Sequence, residues 1–459
     1  MASGKATRSL FGTDGVRGVA NRDLTPELAM AIGRGLGARL SPGARVLVGR
    51  DTRRSGPMLE AALAAGIASA GVHVALGGVL PTPAVAELVA RDDFAAGAVI
   101  SASHNPFPDN GIKLFGPDGF KLPDAEEMAI ERAMDEAGPR PEAEGLGSIE
   151  AWNEGLDRYM EALVDRFPID LSSLRVVVDC AHGATFVSSP EVLRRLGAQL
   201  VDVIGTDPDG VNINMDCGST HLDALAQAVV RTGADLGLAF DGDGDRVLAV
   251  DHAGTPVDGD QILAILALRL RDRGELDNGA VVTTTMTNLG FRTAMRANGI
   301  EVRWTDVGDR YVLQEMREGG FVIGGEQSGH LINLRSGPTG DGLAAGLQLL
   351  HAVVESGRPL AERAAIVRRS PQKLVSFSVA DKDGLADAAD VWAAVAECER
   401  ELGEDGRVVL RASGTENLIR VMVEAPTEDA CERWCATIAE IARRALGGLS
   451  GGSGEKGLT

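Results

Sequence analysis

Short apolar segments alternate with longer Ala- and Leu-rich segments along most of the chain. The run VLVGRD at 46–51 has the length and β-branched content of a buried strand, and VHVALG at 72–77 is similar. The apolar segment between them, at 56–71, has the composition of a helix. This order is typical of βαβ units, and we predict an α/β fold with mixed or parallel sheets.

Repetition and changes of composition divide the chain into domains. A β-branched run that ends in polar or glycine residues recurs at intervals of about 100 to 130 residues, which favours related α/β domains. Boundaries are indicated by a Pro- and Glu-rich segment before a helix predicted to start near Ile149, by DHAGTPVDGD, and by VRRSPQKL. The predicted domains are residues 1–150, 151–255, 256–370 and 371–446, followed by a flexible Gly- and Ser-rich tail at 447–459.

Composition limits the classes of partner. The 459-residue chain is 44% hydrophobic and 24% charged, which are ordinary values for a globular protein. Its formal net charge of −21 disfavours nucleic acid and anionic membranes, so an anionic ligand needs locally gathered basic residues. The five cysteines contain no CxxC pair, and the N-terminus lacks an apolar leader. We therefore expect a cytoplasmic protein with reduced thiols.

Three aspartates follow a predicted strand in ADLGLAFDGDGDRVLAV. Asp241, Asp243 and Asp245 are two positions apart, and in an extended chain this spacing projects all three carboxylates to one side. Carboxylates gathered in this way need a cation, and oxygen-only ligands favour Mg²⁺. A calcium-loop pattern is not met, because Arg246 occupies its sixth position and its twelfth is not Glu. The alternative is an acidic, solvated turn.

Ser103 lies in the stretch ISASHNPFPDNGIKLF, directly after a predicted strand. Ligands of α/β folds bind at the carboxyl ends of strands, where this serine should lie. An Asn-Pro pair turns the chain, and we expect the DNG sequence at 109–111 to turn it again and bring Lys113 toward the serine. These residues alone leave two interpretations open: Ser103 is a nucleophile, or it only caps this turn.

A potential anion site lies near the C-terminus, in RVVLRASGTENLIRVMVEA. Arg411, Ser413, Gly414 and Thr415 fall between two predicted strands, and Arg420 lies on the second. Backbone N–H groups, hydroxyls and two guanidinium groups together favour binding of phosphate. The alternative is an ordinary hairpin loop.

Another polar loop lies in FVIGGEQSGHLIN, where Glu326, Ser328 and His330 follow a predicted strand. These groups suit neighbouring sugar hydroxyls, and a histidine can move a proton near neutral pH, although the pattern equally fits a structural loop. Each predicted domain thus contains one candidate site: a nucleophile, a metal site, a sugar site or a phosphate site. This distribution predicts a cleft where the four domains converge. Such a set is suited to phosphoryl transfer on a phosphosugar.

The chain closely resembles the α-D-phosphohexomutases in five segments, which occur in the same order as in that superfamily: FGTDGVRG (11–18), SASHNP with DNGIK (101–113), DGDGDR (241–246), GEQSGH (325–330) and RASGTENLIRVMVE (411–424). The GTDGVRG opening, the ISASHNP form, VGDRYV (307–312) and the LIRVMVE ending are similar to the phosphoglucosamine mutase family. The chain differs at Ala412 and Asn417, where the superfamily usually has proline.

The resemblance implies a four-domain, heart-shaped enzyme with three related α/β mixed-sheet domains and a smaller α+β C-terminal domain. It implies an isomerase that interconverts glucosamine 6-phosphate and glucosamine 1-phosphate, a step toward UDP-N-acetylglucosamine and the bacterial cell wall. One Mg²⁺ per subunit, a phosphoserine and a glucosamine 1,6-bisphosphate-type intermediate or activator are implied. The expected partner is a phosphosugar, and no binding to nucleic acid or membranes is expected. The expected assembly is either a monomer or a homodimer.

The resemblance also implies a role for each matching residue. Lys113 and His330 would assist proton transfer, while Arg17 and Arg246 would neutralise the transferring phosphate. The metal would be held by a phosphate oxygen on Ser103 and by Asp241, Asp243 and Asp245. The sugar hydroxyls would contact Glu326 and Ser328. The distal phosphate would be bound by Arg411, Ser413, Gly414, Thr415 and Arg420.

Three alternatives remain open at this point. The first is a phosphomannomutase/phosphoglucomutase specificity. The second is a sugar phosphatase, because LAFDGDGD also resembles the opening of the haloacid-dehalogenase phosphatases, in which the first aspartate, here Asp241, is the nucleophile. That interpretation leaves the other three sites unexplained. The third is a sugar-phosphate sensor without catalytic activity.

Overall fold

A computed structural model describes residues 10–12, 14–135, 141–413 and 417–447. The chain forms two compact units. The first comprises Met1–Thr284 and Arg303–Ala365, and the second comprises Thr285–Val302 and Ile366–Thr459. Among the described residues, no helix combines the length and the apolar character needed to cross a bilayer.

The first sheet of the chain is mixed. Its strands are β1 (Val16–Val19), β2 (Arg45–Arg50), β3 (His73–Val79), β4 (Ala96–Ile100), β5 (Asp109–Phe115) and β6 (Ile149–Ala151), in the order β1-β5-β4-β2-β3-β6. The accompanying helices are α1 (Pro26–Ala38), α2 (Gly56–Ser69), α3 (Thr82–Arg91) and α4 (Asp124–Asp135). Strand β4 is buried along its whole length and pairs in parallel with β2 and antiparallel with β5, which carries the chain back past the end of β4.

A second mixed sheet follows. Its strands are β7 (Arg175–Asp179), β8 (Gln199–Ile204), β9 (Leu236–Phe240), β10 (Val247–Asp251) and β11 (Pro256–Val257), in the order β11-β10-β9-β7-β8. Its helices are α5 (Gly155–Arg166), α6 (Ser188–Arg195) and α7 (Asp223–Thr232). The fully buried β9 pairs with β10, and Phe240 lies opposite Val247. The acidic segment at 241–246 is therefore the turn of a β-hairpin.

The third sheet, also mixed, has β12 (Ala280–Thr284), β13 (Glu301–Thr305), β14 (Ile323–Gly325) and β15 (Leu331–Asn333) in the order β13-β12-β14-β15. The next helices along the chain are α8 (Gly259–Asp272), α9 (Leu289–Ala297), α10 (Asp309–Gly319), α11 (Gly342–Ser356) and α12 (Leu360–Ala364). Strands β14 and β15 form a hairpin, so the polar loop at 326–330 is its turn.

The second unit contains a small antiparallel sheet in the order β16-β18-β17. Its strands are β16 (Gln372–Ser378), β17 (Arg407–Ala412) and β18 (Leu418–Glu424), and its helices include α13 (Ala389–Leu402) and α14 (Glu428–Ala445). Apolar side chains of β18, α13 and α14 form its core. Three mixed sheets and one smaller α+β domain confirm the predicted fold class. Apart from Gly447, the predicted tail lies outside the described residues.

Two local predictions were wrong. Ile149 begins strand β6 instead of a helix, and the following helix starts at Gly155. The strand forms because Ile149 pairs in parallel with Val74, which satisfies backbone groups at the edge of β3. The DNG sequence at 109–111 is also not a turn but the start of β5, held in extended form by antiparallel pairing with β1.

Candidate active site

Ser103 follows strand β4 in a short loop. Its side chain is only 1% exposed, and its backbone has a φ of 53°, in the left-handed region that serine seldom adopts. The Ser103 Oγ donates a hydrogen bond of 2.5 Å to Asp241 Oδ2. The hydroxyl therefore faces the acidic hairpin of the second sheet instead of capping its own turn.

Asp241, Asp243 and Asp245 are buried together in the turn between β9 and β10. One oxygen of each carboxylate lies within 4.8 Å of the others, which is the arrangement of a metal-binding group. The chain reaches this arrangement by turning, with Gly244 at a φ of 74°, and not by the extended conformation expected from the spacing. The Oδ1 atoms of Asp243 and Asp245 are buried and accept no hydrogen bond from any described residue. Such unsatisfied hard oxygen ligands fit a divalent cation like Mg²⁺.

Asp241 and Asp245 differ in their proton affinity. Burial, together with the charges of Asp245 and Asp243, raises the pKa of Asp241 well above its ordinary value. Burial also opposes ionisation of Asp245, but Lys113 and His330 outweigh it and hold the pKa of that carboxyl well below its usual range. Two neighbouring aspartates of one cluster are thus shifted in opposite directions, because the positive charges of Lys113 and His330 act mainly on Asp245.

Lys113 supplies the main positive charge to this cluster. It lies on β5, is almost completely buried, and its Nζ is 2.9 Å from Asp243 Oδ2 and 3.2 Å from Asp245 Oδ2. Burial alone would lower the pKa of Lys113, but Asp14, Asp243 and Asp245 together raise it well above its ordinary value. The side chain is therefore a charged ammonium group that reaches directly between the first and second sheets.

His330 lies between two carboxylates. Its Nδ1 is 3.5 Å from Asp245 Oδ1, and its Nε2 is 3.5 Å from Asp309 Oδ2. Burial lowers the pKa of His330, but these carboxylates outweigh it and raise the pKa above its ordinary value. The absence of a side chain at Gly340 makes room for the ring, because a Cβ there would lie 2.4 Å from Nε2.

The remaining predicted residues of the first unit lie around this centre. Arg17, on β1, pairs with Asp14, whose carboxylate is also 3.5 Å from the Lys113 Nζ. The Arg246 backbone N–H donates a 3.1 Å hydrogen bond to Asp241 Oδ1. On the loop between β14 and β15, Glu326 Oε1 accepts a hydrogen bond from the Gly308 N–H, and the buried Ser328 Oγ has no hydrogen-bond partner in the described part of the chain.

His104 is a neighbour of the Ser103 hydroxyl but a poor candidate for a general base. Its Nδ1 lies 3.3 Å from the Ser103 Oγ, within reach for a proton transfer. However, burial and the neighbouring Arg246 and Arg17 lower the pKa of His104 to about 4. The imidazole is thus neutral at physiological pH but too weak a base to hold a proton there.

The predicted phosphate site lies in the second unit. Arg411 and Arg420 are directly opposite each other on β17 and β18, and neither has a carboxylate partner among the residues that the structure describes. Burial and the charge of Arg420 lower the pKa of Arg411. The Ser413 backbone carbonyl accepts a hydrogen bond from Lys382 Nζ. Gly414 and Thr415 lie outside the described residues.

Comparison with protein families decides the affiliation of the chain. Four segments match the four domains of the phosphoglucomutase/phosphomannomutase family: domain I at 8–140, domain II at 157–254, domain III at 258–370 and the C-terminal domain at 374–441. Phosphoglucosamine mutase from Mycolicibacterium paratuberculosis is 52% identical over 94% of this chain and 98% of its own length. The chain belongs to the phosphoglucosamine mutase family. The corresponding protein of Saccharopolyspora erythraea is 54% identical over the same shares.

Solved structures of phosphohexomutases have the same fold as this member of the phosphoglucosamine mutase family. A phosphoglucomutase/phosphomannomutase family protein from Burkholderia thailandensis superimposes with a TM-score of 0.79 at 26% identity, over 94% of this chain and 97% of that structure. The N-acetylphosphoglucosamine mutase of Aspergillus fumigatus, solved with GlcNAc-6P and magnesium, gives a TM-score of 0.67 at 18% identity, over 97% of each chain. At that identity the similarity concerns the fold alone. Family and structural matches confirm the superfamily resemblance and the phosphosugar mutase class.

Several residues in the site of this phosphoglucosamine mutase family member were missed from the sequence. Lys121 Nζ bonds to both Asp14 and Asp309, and so joins the opening FGTDG segment to the VGDRYV segment. Asp14 and Asp309 lie in segments that resemble the phosphohexomutases, so the sequence could have marked them as site residues. Lys121 lies in no such motif. Thr82 Oγ1 donates a 2.6 Å hydrogen bond to Asp243 Oδ2. No local pattern marks that threonine, because its partner is far away in the sequence.

Proposed function

We propose that the protein interconverts glucosamine 6-phosphate and glucosamine 1-phosphate, with Ser103 as the carrier of the phosphoryl group. In the first half-reaction the bond between phosphorus and Ser103 Oγ breaks and a bond from phosphorus to the free sugar hydroxyl forms, which gives a bisphosphate. The second half-reaction returns the other phosphoryl group to Ser103 Oγ. The observation that supports this proposal is the hydrogen bond between Ser103 Oγ and Asp241, beside three clustered carboxylates.

The metal ligands in this proposal are Asp241, Asp243 and Asp245, together with a phosphate oxygen on Ser103. The Oδ1 of Asp243 has no hydrogen bond among the described residues, and that of Asp245 is approached by His330 Nδ1 only at 3.5 Å, so both oxygens are available to Mg²⁺. When bound, Mg²⁺ would neutralise negative charge on the transferring phosphoryl group. We assign Arg17 and Arg246 the same task from the protein side.

Proton transfer is assigned to Lys113 and His330. The sugar hydroxyl loses a proton when it attacks phosphorus, and Ser103 Oγ gains one as it leaves, so the site needs groups that exchange protons with both oxygens. The raised pKa values of Lys113 and His330 keep both groups protonated near neutral pH, so each has a proton available for a leaving oxygen and is a strong base once it has lost that proton.

Substrate binding is assigned to two loops. Glu326 and Ser328 are proposed to contact sugar hydroxyls, and the unsatisfied Ser328 Oγ has hydrogen-bonding capacity for one of them. The non-reacting phosphate is assigned to Arg411, Ser413, Gly414, Thr415 and Arg420. Two arginines that face each other without carboxylate partners support an anion at that position.

Labelling the enzyme with a phosphosugar tests the carrier. After incubation with [³²P]glucosamine 1,6-bisphosphate, we expect an acid-stable phosphate on Ser103, absent in Ser103→Ala and retained in the surface variant Ser172→Ala. An acid-labile acyl phosphate on Asp241 would instead support a phosphatase-type mechanism. The kcat/KM values for glucosamine, glucose and mannose phosphates then test the sugar preference. Equal or higher efficiency with glucose or mannose phosphate would contradict our assignment of the substrate.

A further inference from the structure

Arg53 is a fully buried arginine. Its side chain hydrogen-bonds to the Ser103 loop only at backbone carbonyls of that loop. Its exposed fraction is 0%, and it lies just after strand β2. The Nη2 atom donates to the carbonyls of Ser103 (2.9 Å) and Asn105 (2.7 Å). The Nη1 atom donates to the carbonyls of Pro106 (2.6 Å) and Asp109 (3.1 Å). One guanidinium group thus gathers four carbonyls of one loop.

The hydrogen bonds of Arg53 leave none of its donors unused. A guanidinium group has five N–H donors in a fixed plane. Four reach the loop, and the fifth, on Nε, donates to Asp51 Oδ2 at 2.8 Å, which also balances the charge. Several carbonyl oxygens that converge in a buried space repel one another unless a cation lies between them. The loop conformation therefore depends on a group of this charge and shape.

Both backbone groups of Ser103 are hydrogen-bonded, the carbonyl directly to Arg53 and the N–H to Ser101, which in turn binds Asp51. The Ser103 carbonyl accepts from Arg53, as described, and its N–H donates a 2.9 Å hydrogen bond to Ser101 Oγ. The Ser101 hydroxyl in turn donates to Asp51 Oδ2 at 2.6 Å. The left-handed backbone of Ser103 is unfavourable for a residue with a side chain, so it persists only where surrounding contacts impose it.

A second domain reinforces the same carbonyls. Asn214 Nδ2, from the second sheet's domain, donates to the Ser103 carbonyl at 2.9 Å and to the Asn105 carbonyl at 3.1 Å. Close packing accompanies these bonds, because a Cβ at Gly242 would lie 2.6 Å from the Ser103 carbonyl oxygen. The backbone of the serine loop is thus fixed directly against the acidic hairpin.

We propose that Arg53 is a positioning residue for phosphoryl transfer, which fixes the Ser103 backbone so that Oγ points at the aspartate cluster in a single orientation. The proposal rests on the proposed function for its effect on turnover, but not for its effect on loop order. Arg53 touches neither the reacting oxygen nor the aspartate cluster in any contact described above. Its influence passes through the carbonyls that it binds.

Replacement by lysine provides the central test. Arg53→Lys keeps the charge but replaces a planar five-donor group by a point charge with three donors, so it cannot hold four carbonyls and Asp51 at once. We expect kcat to fall by about 100-fold, the effect of misplacing a reacting group by about 1 Å. KM should remain unchanged, because Arg53 is assigned no contact with substrate. Arg166→Lys is the matched control, since Arg166 pairs with Glu87 away from the loop, and it should keep its kcat.

Hydrogen exchange tests the loop without reference to turnover. In Arg53→Lys, amides in a peptide covering 101–112 should exchange faster than in the wild type, while Arg166→Lys leaves that peptide unchanged. Added guanidinium should partly restore the kcat of Arg53→Ala and not that of Ser103→Ala. If Arg53→Lys is poorly folded, Ser101→Ala removes only the hydroxyl that holds the Ser103 N–H. It should lower kcat by about tenfold and also speed exchange.

The outcomes separate the two proposals. The role of Arg53 would be overturned if the folded variant, Arg53→Lys or Ser101→Ala, showed unchanged hydrogen exchange and a kcat within twofold of the wild type. That result would leave the proposed function untouched. A wild-type enzyme without mutase turnover would contradict the proposed function, and faster exchange in the variants would still support the effect on the loop. A loss of kcat accompanied by an equal rise in KM would contradict a positioning role.

Discussion

The aspartate cluster of the first unit and the arginine pair of the second unit differ in how their like charges are neutralised. In the first unit, the ammonium group of Lys113 contacts two of the three clustered carboxylates, those of Asp243 and Asp245, within 3.2 Å. In the second unit, Arg411 and Arg420 face each other across an antiparallel pair and have no carboxylate partner among the described residues. Like charges directly opposite each other on paired strands are destabilising. The chain supplies positive charge to the first cluster, whereas no described carboxylate neutralises the arginine pair of the second.

This difference matches the roles that we propose for the two regions. A compensated cluster keeps its shape in the absence of ligand, as a site that must direct a reacting oxygen requires. An uncompensated pair of cations gains electrostatic energy only when an anion arrives, which suits binding and release. The comparison predicts that substitutions in the first region affect folding and turnover together, and that substitutions in the second affect substrate binding alone.

Loss of the central cation should have the largest effect. Replacement of Lys113 by Met leaves the buried carboxylates uncompensated, and removal of one partner of such a group costs about 3–5 kcal/mol of folding free energy. We expect a lower melting temperature, together with loss of mutase activity. Mg²⁺ should recover more melting temperature in Lys113→Met than in the wild type, because it replaces the missing charge. A melting temperature equal to that of the wild type would contradict the compensated cluster.

Asp341 sharpens the comparison, because it is a buried carboxylate stabilised mainly by hydrogen bonds. Tyr159 donates to both of its oxygens and the Ala344 N–H to one, yet burial raises the pKa of Asp341 from 3.8 to about 6. Between these pH values the folded state binds more protons than the unfolded state, so stability falls as the pH rises. The loss amounts to at most about 3 kcal/mol and is complete above about pH 7.

Asp341→Asn should remove this pH dependence. Asparagine is neutral at every pH and its carbonyl still accepts the Ala344 N–H as a helix cap. The melting temperature of the variant minus that of the wild type should increase between pH 4 and pH 7 and then remain constant. A difference that does not change with pH would show that the carboxylate is not stabilised in its protonated form.

The smallest effect is expected in the second unit. Arg420→Met should lower kcat/KM for the phosphosugar by about 10- to 150-fold, through loss of about 1.5–3 kcal/mol from a charged hydrogen bond. Its stability should stay equal to the wild type or rise by about 0.2–1 kcal/mol, because repulsion from Arg411 is relieved. The exposed Arg444→Met, which loses only a surface pair with Glu440, serves as the control. A clear loss of stability in Arg420→Met would remove the contrast between the two regions.

The sequence predicts elements that depend on local pattern and misses those that depend on pairing. The apolar run before Asp241 correctly predicts strand β9, and the three mixed-sheet domains follow from the alternation of strands and helices. Lys113 was expected near Ser103 because of a turn at 109–111. Both side chains instead contact the same aspartate cluster, and Lys113 is placed by the antiparallel pairing of β5 with β4, in which it lies opposite Val99. Only the register of the sheet contains that information.

Long-range contacts explain the residues that were missed. Lys121 and Asp309 are separated by 188 positions, and Arg53 and Ser103 by 50. Neither cation belongs to a motif, and an arginine after a strand is more often exposed than buried. Burial of Arg53 becomes understandable only once the loop carbonyls are seen to converge on it.

The use of backbone carbonyls by Arg53 limits how the serine loop can change over evolution or in protein engineering. Every residue type provides a carbonyl, so the side chains at 105–109 can vary without loss of these hydrogen bonds, and the partly exposed Phe107 is an example of a position with such freedom. An inserted or deleted residue, in contrast, would move the carbonyls out of reach of the fixed guanidinium plane. Loop length, more than loop composition, should therefore be the property that this arginine preserves.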